Sequence, residues 1–284
     1  MADDGLERRA VATSPTRDVV QARLDALVRE NRFTIAVVFP AVGAVLLVAS
    51  AEGLLPAPLA FNPWLVLAGV LVMRAPLLVG VGPLLDWRAA VGVAGLCAYA
   101  YAVEYVGVTT GWPYGEFHYT VDLGPTVGGI PLALPVFFLP LVLNGYLLCL
   151  LLLGDRAGRV AVRLPVVVAT VVLMDLVLDP GAVALGFWTY ANGGAFYGVP
   201  RSNFLGWVGS ATLSVLVLDR VLDRTALLDR LDLCPFMLDD LVSFVLLWGG
   251  INAWFGNALP VALAALFGLG LLWTDRFDST PFRP

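Results

Sequence analysis

The sequence contains no lysine. All 17 basic residues are arginine, against 22 acidic ones. Lysine's absence excludes retinal-type and pyridoxal-type chemistry, because a Schiff base needs a lysine amine. There is one histidine, His118, and the three cysteines Cys97, Cys149 and Cys234 are far apart. No zinc or haem spacing is present, and no CxxC pair, so the cysteines read as small apolar core residues. Charge itself is scarce, at 14% of residues against about 25% in an ordinary soluble domain. No apolar segment precedes Phe33, so the start of the chain is not read as a signal peptide.

Apolar sequence is abundant instead: 59% of the 284 residues are hydrophobic and the mean hydropathy is +0.85. Long apolar runs recur along the whole length. The expected fold is therefore all-α, a polytopic transmembrane bundle of about eight spans. The spans fall near 33–50, 63–85, 89–108, 130–153, 164–179, 203–218, 236–254 and 257–273. Pro180 disfavours helix at the residue before it, which predicts a broken fifth helix, with 182–190 re-entering or capping a cavity. Residues 1–32 read as a cytoplasmic amphipathic segment and 33–284 as the transmembrane domain. In the first, Val19, Val20, Leu24, Leu27 and Val28 recur near helical spacing, as in a helix lying on a membrane surface. With eight spans, 15 of the 17 arginines fall on one side, Arg201 lies opposite and Arg74 is buried. The positive-inside rule then places both termini in the cytoplasm. An isoelectric point near 4.8 hints at a halophilic source or a GC-rich genome.

The stretch Met174-Asp-Leu-Val-Leu-Asp-Pro-Gly181 carries the first chemical signal. Asp175 and Asp179 stand one turn apart on one helical face inside an apolar run. A charge there costs a few kcal/mol or more, so the pair must be neutralised, protonated or solvated by a polar cavity. The bland reading is a pair that hydrogen-bonds neighbouring helices. Glu104 sits at a similar height, flanked by Tyr101 and Tyr105, and Arg74 reads as a partner for a buried carboxylate or for carbonyls.

Two loops rich in aromatics are expected on the side of these carboxylates. One holds Trp112, Tyr114, Glu116, His118 and Tyr119; the other holds Trp188, Tyr190, Tyr197, Arg201, Asn203 and Trp207. An interfacial aromatic belt would explain the rings alone. The interleaved glycines and polar groups fit a lidded pocket as well. Alkene hydration suits such a pocket: a protonated carboxyl attacks the double bond, water captures the tertiary cation, and aromatic faces stabilise it. Asp179, Asp175 and Glu104 are the candidate acids and bases, and Asn203 a holder of the water.

Glu104-Tyr-Val-Gly, Thr110-Gly-Trp-Pro-Tyr-Gly-Glu-Phe-His-Tyr119, Gly129-Ile-Pro-Leu132, Asp175-Leu-Val-Leu-Asp-Pro180, Gly186-Phe-Trp188 and Phe196-Tyr-Gly-Val-Pro-Arg-Ser-Asn-Phe-Leu-Gly-Trp207 resemble the membrane carotenoid hydratases. Together these segments cover about residues 104–207. The resemblance implies water addition to the terminal isopropylidene double bonds of an acyclic C50 carotenoid. It implies a lipid-soluble carotenoid, water and membrane lipids as partners, other enzymes of the carotenoid pathway as further ones, and no nucleic acid. No metal or other cofactor is expected. Two rival readings stay open. An intramembrane polyprenyl transferase also uses an Asp-x-x-x-Asp pair to bind magnesium diphosphate, although residue 171 is Val where that motif has Asn, and no second such motif exists. A non-enzymatic carotenoid carrier would explain the aromatics but not the clustered carboxylates.

Overall fold

A computed structural model describes residues 15–278 and 280–282. Among these, ten α-helices account for most of the chain. Helix α1 is Pro15–Glu30, and α2 (Phe39–Ala51) continues a π-helical segment, Thr34–Val38. Then come α3 (Pro63–Val81), α4 (Trp87–Thr110), α5 (Leu134–Leu153), α6 (Val160–Leu185), α7 (Arg201–Val221), α8 (Arg224–Leu233), α9 (Asp239–Trp254) and α10 (Ala258–Trp273). Seven helical stretches are long and apolar enough to cross a membrane. The eighth expected span, α10, is apolar but has 16 residues, about 24 Å at 1.5 Å per residue. The chain is a multi-pass membrane protein.

Local sequence sets the helix ends. Asn62 Oδ1 accepts the Trp64 and Leu65 amides at 3.0 and 3.2 Å to start α3. Asp86 Oδ1 accepts the Ala89 amide at 2.8 Å to start α4. Gly111 and Gly186, both at φ +76°, end α4 and α6 in the left-handed conformation that costs glycine little. Helices α5 and α9 form the centre of the bundle and are its most buried spans.

The expected break in the fifth span does not occur: α6 runs unbroken through Pro165 and Pro180. For Pro180 the carbonyl left without its usual donor is that of Leu176, four residues back, and a neighbouring helix bonds the backbone beside it. Asn252 Nδ2 of α9 donates to Val177 O at 2.8 Å. The segment after α6 does cap a cavity, but as a strand. Strand β4 (Trp188–Tyr190) pairs antiparallel with β1 (Phe117–Tyr119), opposing Phe117 to Tyr190, His118 to Thr189 and Tyr119 to Trp188. A second small ribbon pairs β2 (Thr126–Val127) with β3 (Ile130–Pro131), at the expected start of the fourth span.

Buried charges are stapled across the bundle. Arg32 forms a bidentate pair with Asp239 at 2.6 and 2.7 Å and also reaches Asp278 at 2.7 Å. Arg74 Nη1 contacts both oxygens of Asp240 at 2.9 and 2.8 Å, and Asn144 donates to the same carboxylate. Arg163 pairs with Asp219 at 2.6 Å. Arg74 thus neutralises a buried carboxylate, one of its two expected roles. Cys149 and Cys234 are buried, Cys97 is half-buried, and all three are free thiols.

Helix α1 docks at the end of the bundle that carries most of the arginines. Its Gln21 donates to Val79 O at 2.9 Å, and Asp25 accepts from Arg230 at 2.6 Å. Asp25 therefore faces the protein. Val19, Val20, Leu24 and Leu27 are exposed, whereas Val28 is buried. Residues 1–14, with Arg8 and Arg9, lie outside the described residues, as does Arg283.

Candidate active site

One face of each of four spans meets the β1–β4 ribbon around a cavity of about 120 Å³. Helix α4 contributes Ala100, Val103 and Glu104, at the i, i+3, i+4 spacing of one helical face. Helix α5 contributes Leu134, Phe137, Phe138 and Leu141; α6 gives Leu178 and Asp179; α7 gives Asn203 and Trp207. Trp248 of α9 also reaches the lining. In the ribbon, alternate residues point the same way. Phe117, Tyr119, Trp188 and Tyr190 all face the cavity, with Tyr114 and Phe187 from the flanking loops.

The polar groups form two sets. In the first, Asn203 Nδ2 donates to Asp175 Oδ2 at 2.8 Å and to Asp179 Oδ2 at 2.6 Å. Tyr190 donates its hydroxyl to Asp179 Oδ2 at 3.0 Å. Asp175 lies behind Asp179, fully buried, and its Oδ1 has no hydrogen-bond partner. In the second set, Tyr119 donates to Glu104 Oε1. Burial, and then the neighbouring carboxylate, push both tyrosine phenols well above their ordinary range, so each acts as a donor. The ribbon thus holds one carboxyl group with each of two tyrosines that lie diagonally across it on its cavity face.

Four aspartates are buried in the bundle: Asp175, Asp179, Asp239 and Asp240. The last two are paired with arginines, whereas the hydrogen bonds of Asp175 and Asp179 come from neutral groups. An ion pair inside a bundle serves architecture. A carboxyl pair held by an amide and a phenol beside an aromatic cavity is equipped to move a proton.

Eight of the residues singled out in the sequence line the cavity: Glu104, Tyr114, Tyr119, Asp179, Trp188, Tyr190, Asn203 and Trp207. Asp175 reaches it through Asn203. Asn203 commits its amide nitrogen to the two carboxyl groups, so its first role is to hold that pair rather than a water. Five others lie elsewhere. His118 occupies the outward phase of β1 and contacts Thr189 at 3.1 Å; Glu116 is exposed. Trp112 is 69% exposed and faces a separate groove. Tyr197 is also exposed and accepts the Leu259 amide at 3.3 Å. Arg201 begins α7 on the surface. Sequence reasoning missed Phe137, Phe138, Phe187 and Trp248. An apolar ring among apolar neighbours carries no distinguishing signal. It also missed Ser210, whose Oγ shares a 2.6 Å hydrogen bond with the Tyr114 hydroxyl.

Residues 61–271 match the family described as carotenoid biosynthesis protein, and this stretch contains every residue of the cavity. The chain belongs to that family. It is 62% identical over 264 residues to the bisanhydrobacterioruberin hydratase of Haloarcula japonica, a match spanning 93% of this chain and 90% of the relative. No solved structure matches the chain. In this carotenoid biosynthesis protein the aromatic lining suits an apolar ligand.

Proposed function

We propose that this protein is a carotenoid hydratase. It adds water to the terminal isopropylidene double bonds of an acyclic C50 carotenoid, converting bisanhydrobacterioruberin to bacterioruberin. The observation that carries this reading is the cation-free carboxyl pair Asp175–Asp179 at an aromatic cavity. Two like charges sharing one amide are stable only when a proton is held between them. Asp179, on the cavity wall, delivers that proton to the less substituted alkene carbon. The tertiary cation that results is stabilised by the faces of Trp188, Trp207 and the tyrosines, at about 0.5–2 kcal/mol each. Water adds through its oxygen and loses a proton to Glu104, which Tyr119 orients. A proton returned from Glu104 to the aspartate pair restores the starting state, so atoms and charge balance without a redox step. A polyprenyl transferase would need cations for a diphosphate. Among the described residues the cavity lining contains no arginine.

The experiment is direct. Purified protein in detergent, given the acyclic carotenoid in oxygen-labelled water, is expected to yield a tertiary alcohol carrying the solvent oxygen. A strict requirement for magnesium and a prenyl diphosphate would overturn the reading. Both termini are proposed to lie in the cytoplasm, as the arginine distribution favours. The exposed apolar residues of α1 would then rest in the inner leaflet surface.

A further inference from the structure

Hydration brings a water into the cavity, and that water must be held with a lone pair free for the cation. A water that donates both its hydrogens keeps its lone pairs for the attack, whereas one that accepts hydrogen bonds spends them. The hydroxyls of the cavity wall are all engaged with other side chains. Tyr114 shares a 2.6 Å hydrogen bond with Ser210, Tyr119 donates to Glu104, and Tyr190 donates to Asp179 at 3.0 Å. Apart from the indole N–H groups of its three tryptophans, the side-chain polar atoms left open on this wall are therefore acceptors.

Asn203 supplies one of them. It lines the cavity although it is only 3% exposed. Both hydrogens of its Nδ2 are spent, one on Asp175 Oδ2 and one on Asp179 Oδ2. This orientation of the amide is forced, because an oxygen turned toward two carboxyl groups would meet further acceptors and at most one shared proton. The carbonyl oxygen Oδ1 lies on the other branch of the amide. Among the described residues it accepts no hydrogen bond, and it is not sealed in the packing as the partnerless Asp175 Oδ1 is. A buried amide oxygen with neither a protein donor nor a packed cover borders the open space beside it, the cavity. Glu104 repeats the case on α4: Tyr119 takes its Oε1, and Oε2 accepts nothing among the described residues and is not sealed either.

We propose that Asn203 is a catalytic residue for the water half of the reaction, its Oδ1 and Glu104 Oε2 each accepting one hydrogen of the attacking water. The assignment rests on the hydratase reading. One amide then performs two tasks: Nδ2 holds the acid pair, and Oδ1 holds the nucleophile next to it. The C–O bond forms from a water lone pair, the O–H bond toward Glu104 breaks, and the proton passes to Oε2. A cation that meets no held water falls back instead. It loses a neighbouring C–H proton to a carboxylate, and an alkene re-forms.

That partition gives the experiment. The purified protein is run on the acyclic carotenoid in deuterium oxide, and mass analysis measures the tertiary alcohol and the deuterium in the recovered hydrocarbon. The ratio of the two does not depend on how fast the cation forms. Asn203→Leu removes the oxygen, and Asn203→Gln keeps an amide but displaces it by one methylene. Both are expected to raise deuterated hydrocarbon relative to alcohol about tenfold, the worth of one hydrogen bond to the water. Tyr190→Phe removes a donor from Asp179 and leaves Asn203 in place, so it is expected to slow both products at the wild-type ratio. An unchanged ratio in both Asn203 variants overturns the assignment. Loss of both products in both variants overturns it too, since a residue that only clamps the acid stops the cation from forming. An equal shift of the ratio in Tyr190→Phe also overturns it, because the partition then follows the geometry of the acid. If the wild-type protein forms neither alcohol nor deuterated hydrocarbon, the hydratase reading itself fails and the water site falls with it.

Discussion

Asp179 and Asp240 are both buried carboxylates in membrane helices, and their surroundings assign them opposite tasks. Asp240 is held by Arg74 and Asn144, whereas Asp179 is held by Asn203 and Tyr190. Replacing Asp179 by Asn keeps its shape and removes the acid. Turnover is expected to fall by about 10²-fold or more, with protein level unchanged, as carotenoid extracts analysed by mass would show. Asp175→Asn should cost a similar factor if the pair shares its proton, since residues acting as a unit lose function together. Near wild-type hydration by both variants would make the pair structural and leave Glu104 as the acid. Tyr119→Phe removes only the hydrogen bond that orients Glu104, and about a tenfold loss in kcat with little change in KM is expected. Glu116→Gln, on the exposed side of its loop, should change neither.

At the level of elements, the backbone of α6 around Pro180 is held by a neighbour. Asn252 is fully buried and donates to Val177 O and Trp248 O, both at 2.8 Å, while its oxygen accepts from Asn257. Asn252→Leu strands these groups and is expected to destabilise the protein by about 1–3 kcal/mol, read as a lower thermal midpoint in detergent. The α3–α9 staple makes a sharper case. Arg74→Leu leaves Asp240 buried without its cation, at a cost of about 3–5 kcal/mol, and the double variant with Asp240→Leu should recover much of that loss. The β1–β4 ribbon shows what pattern alone could not resolve. A three-residue strand has no readable phase, so Glu116 and His118 looked as eligible as Tyr119, and Phe117 was passed over. Pairing with a strand 71 residues away turned one set inward and the other out.

For the whole molecule, the ion pairs show that the two ends of the described chain lie together. Arg32, just before the first span, bonds Asp278, just after the last helix. Arg276 pairs with Asp232 in α8 at 2.8 Å, and α8 also holds α1 through Arg230 and Asp25. This supports the proposed placement of both termini on one side, in which α10, short for a bilayer core of about 30 Å, would tilt little or draw the membrane inward. Reporter fusions after Asp122 and Asn192 are therefore expected on the face opposite both termini. A same-side signal at either position would separate the aromatic loops from the outer end of the bundle.

The sequence by itself determined the class and the approximate spans, and the proposed side of the termini rests on it too. Each depends on a one-dimensional quantity: transfer free energy summed over about 20 residues, or the side on which arginines fall. The i, i+4 spacing of Asp175 and Asp179 belongs with these, because helical geometry alone puts them on one face. Which carboxylates are free to react was decided only in three dimensions. Arg74 finds Asp240 across 166 residues, and Asn203 finds Asp175 and Asp179 across 28 and 24. Nothing in the local sequence of an aspartate records whether the neighbour that packs against it will bring a cation, an amide or a phenol. That choice follows from how the helices and the ribbon close on one another. Here it separates two aspartates that hold the bundle together from one that faces its cavity and one held behind it.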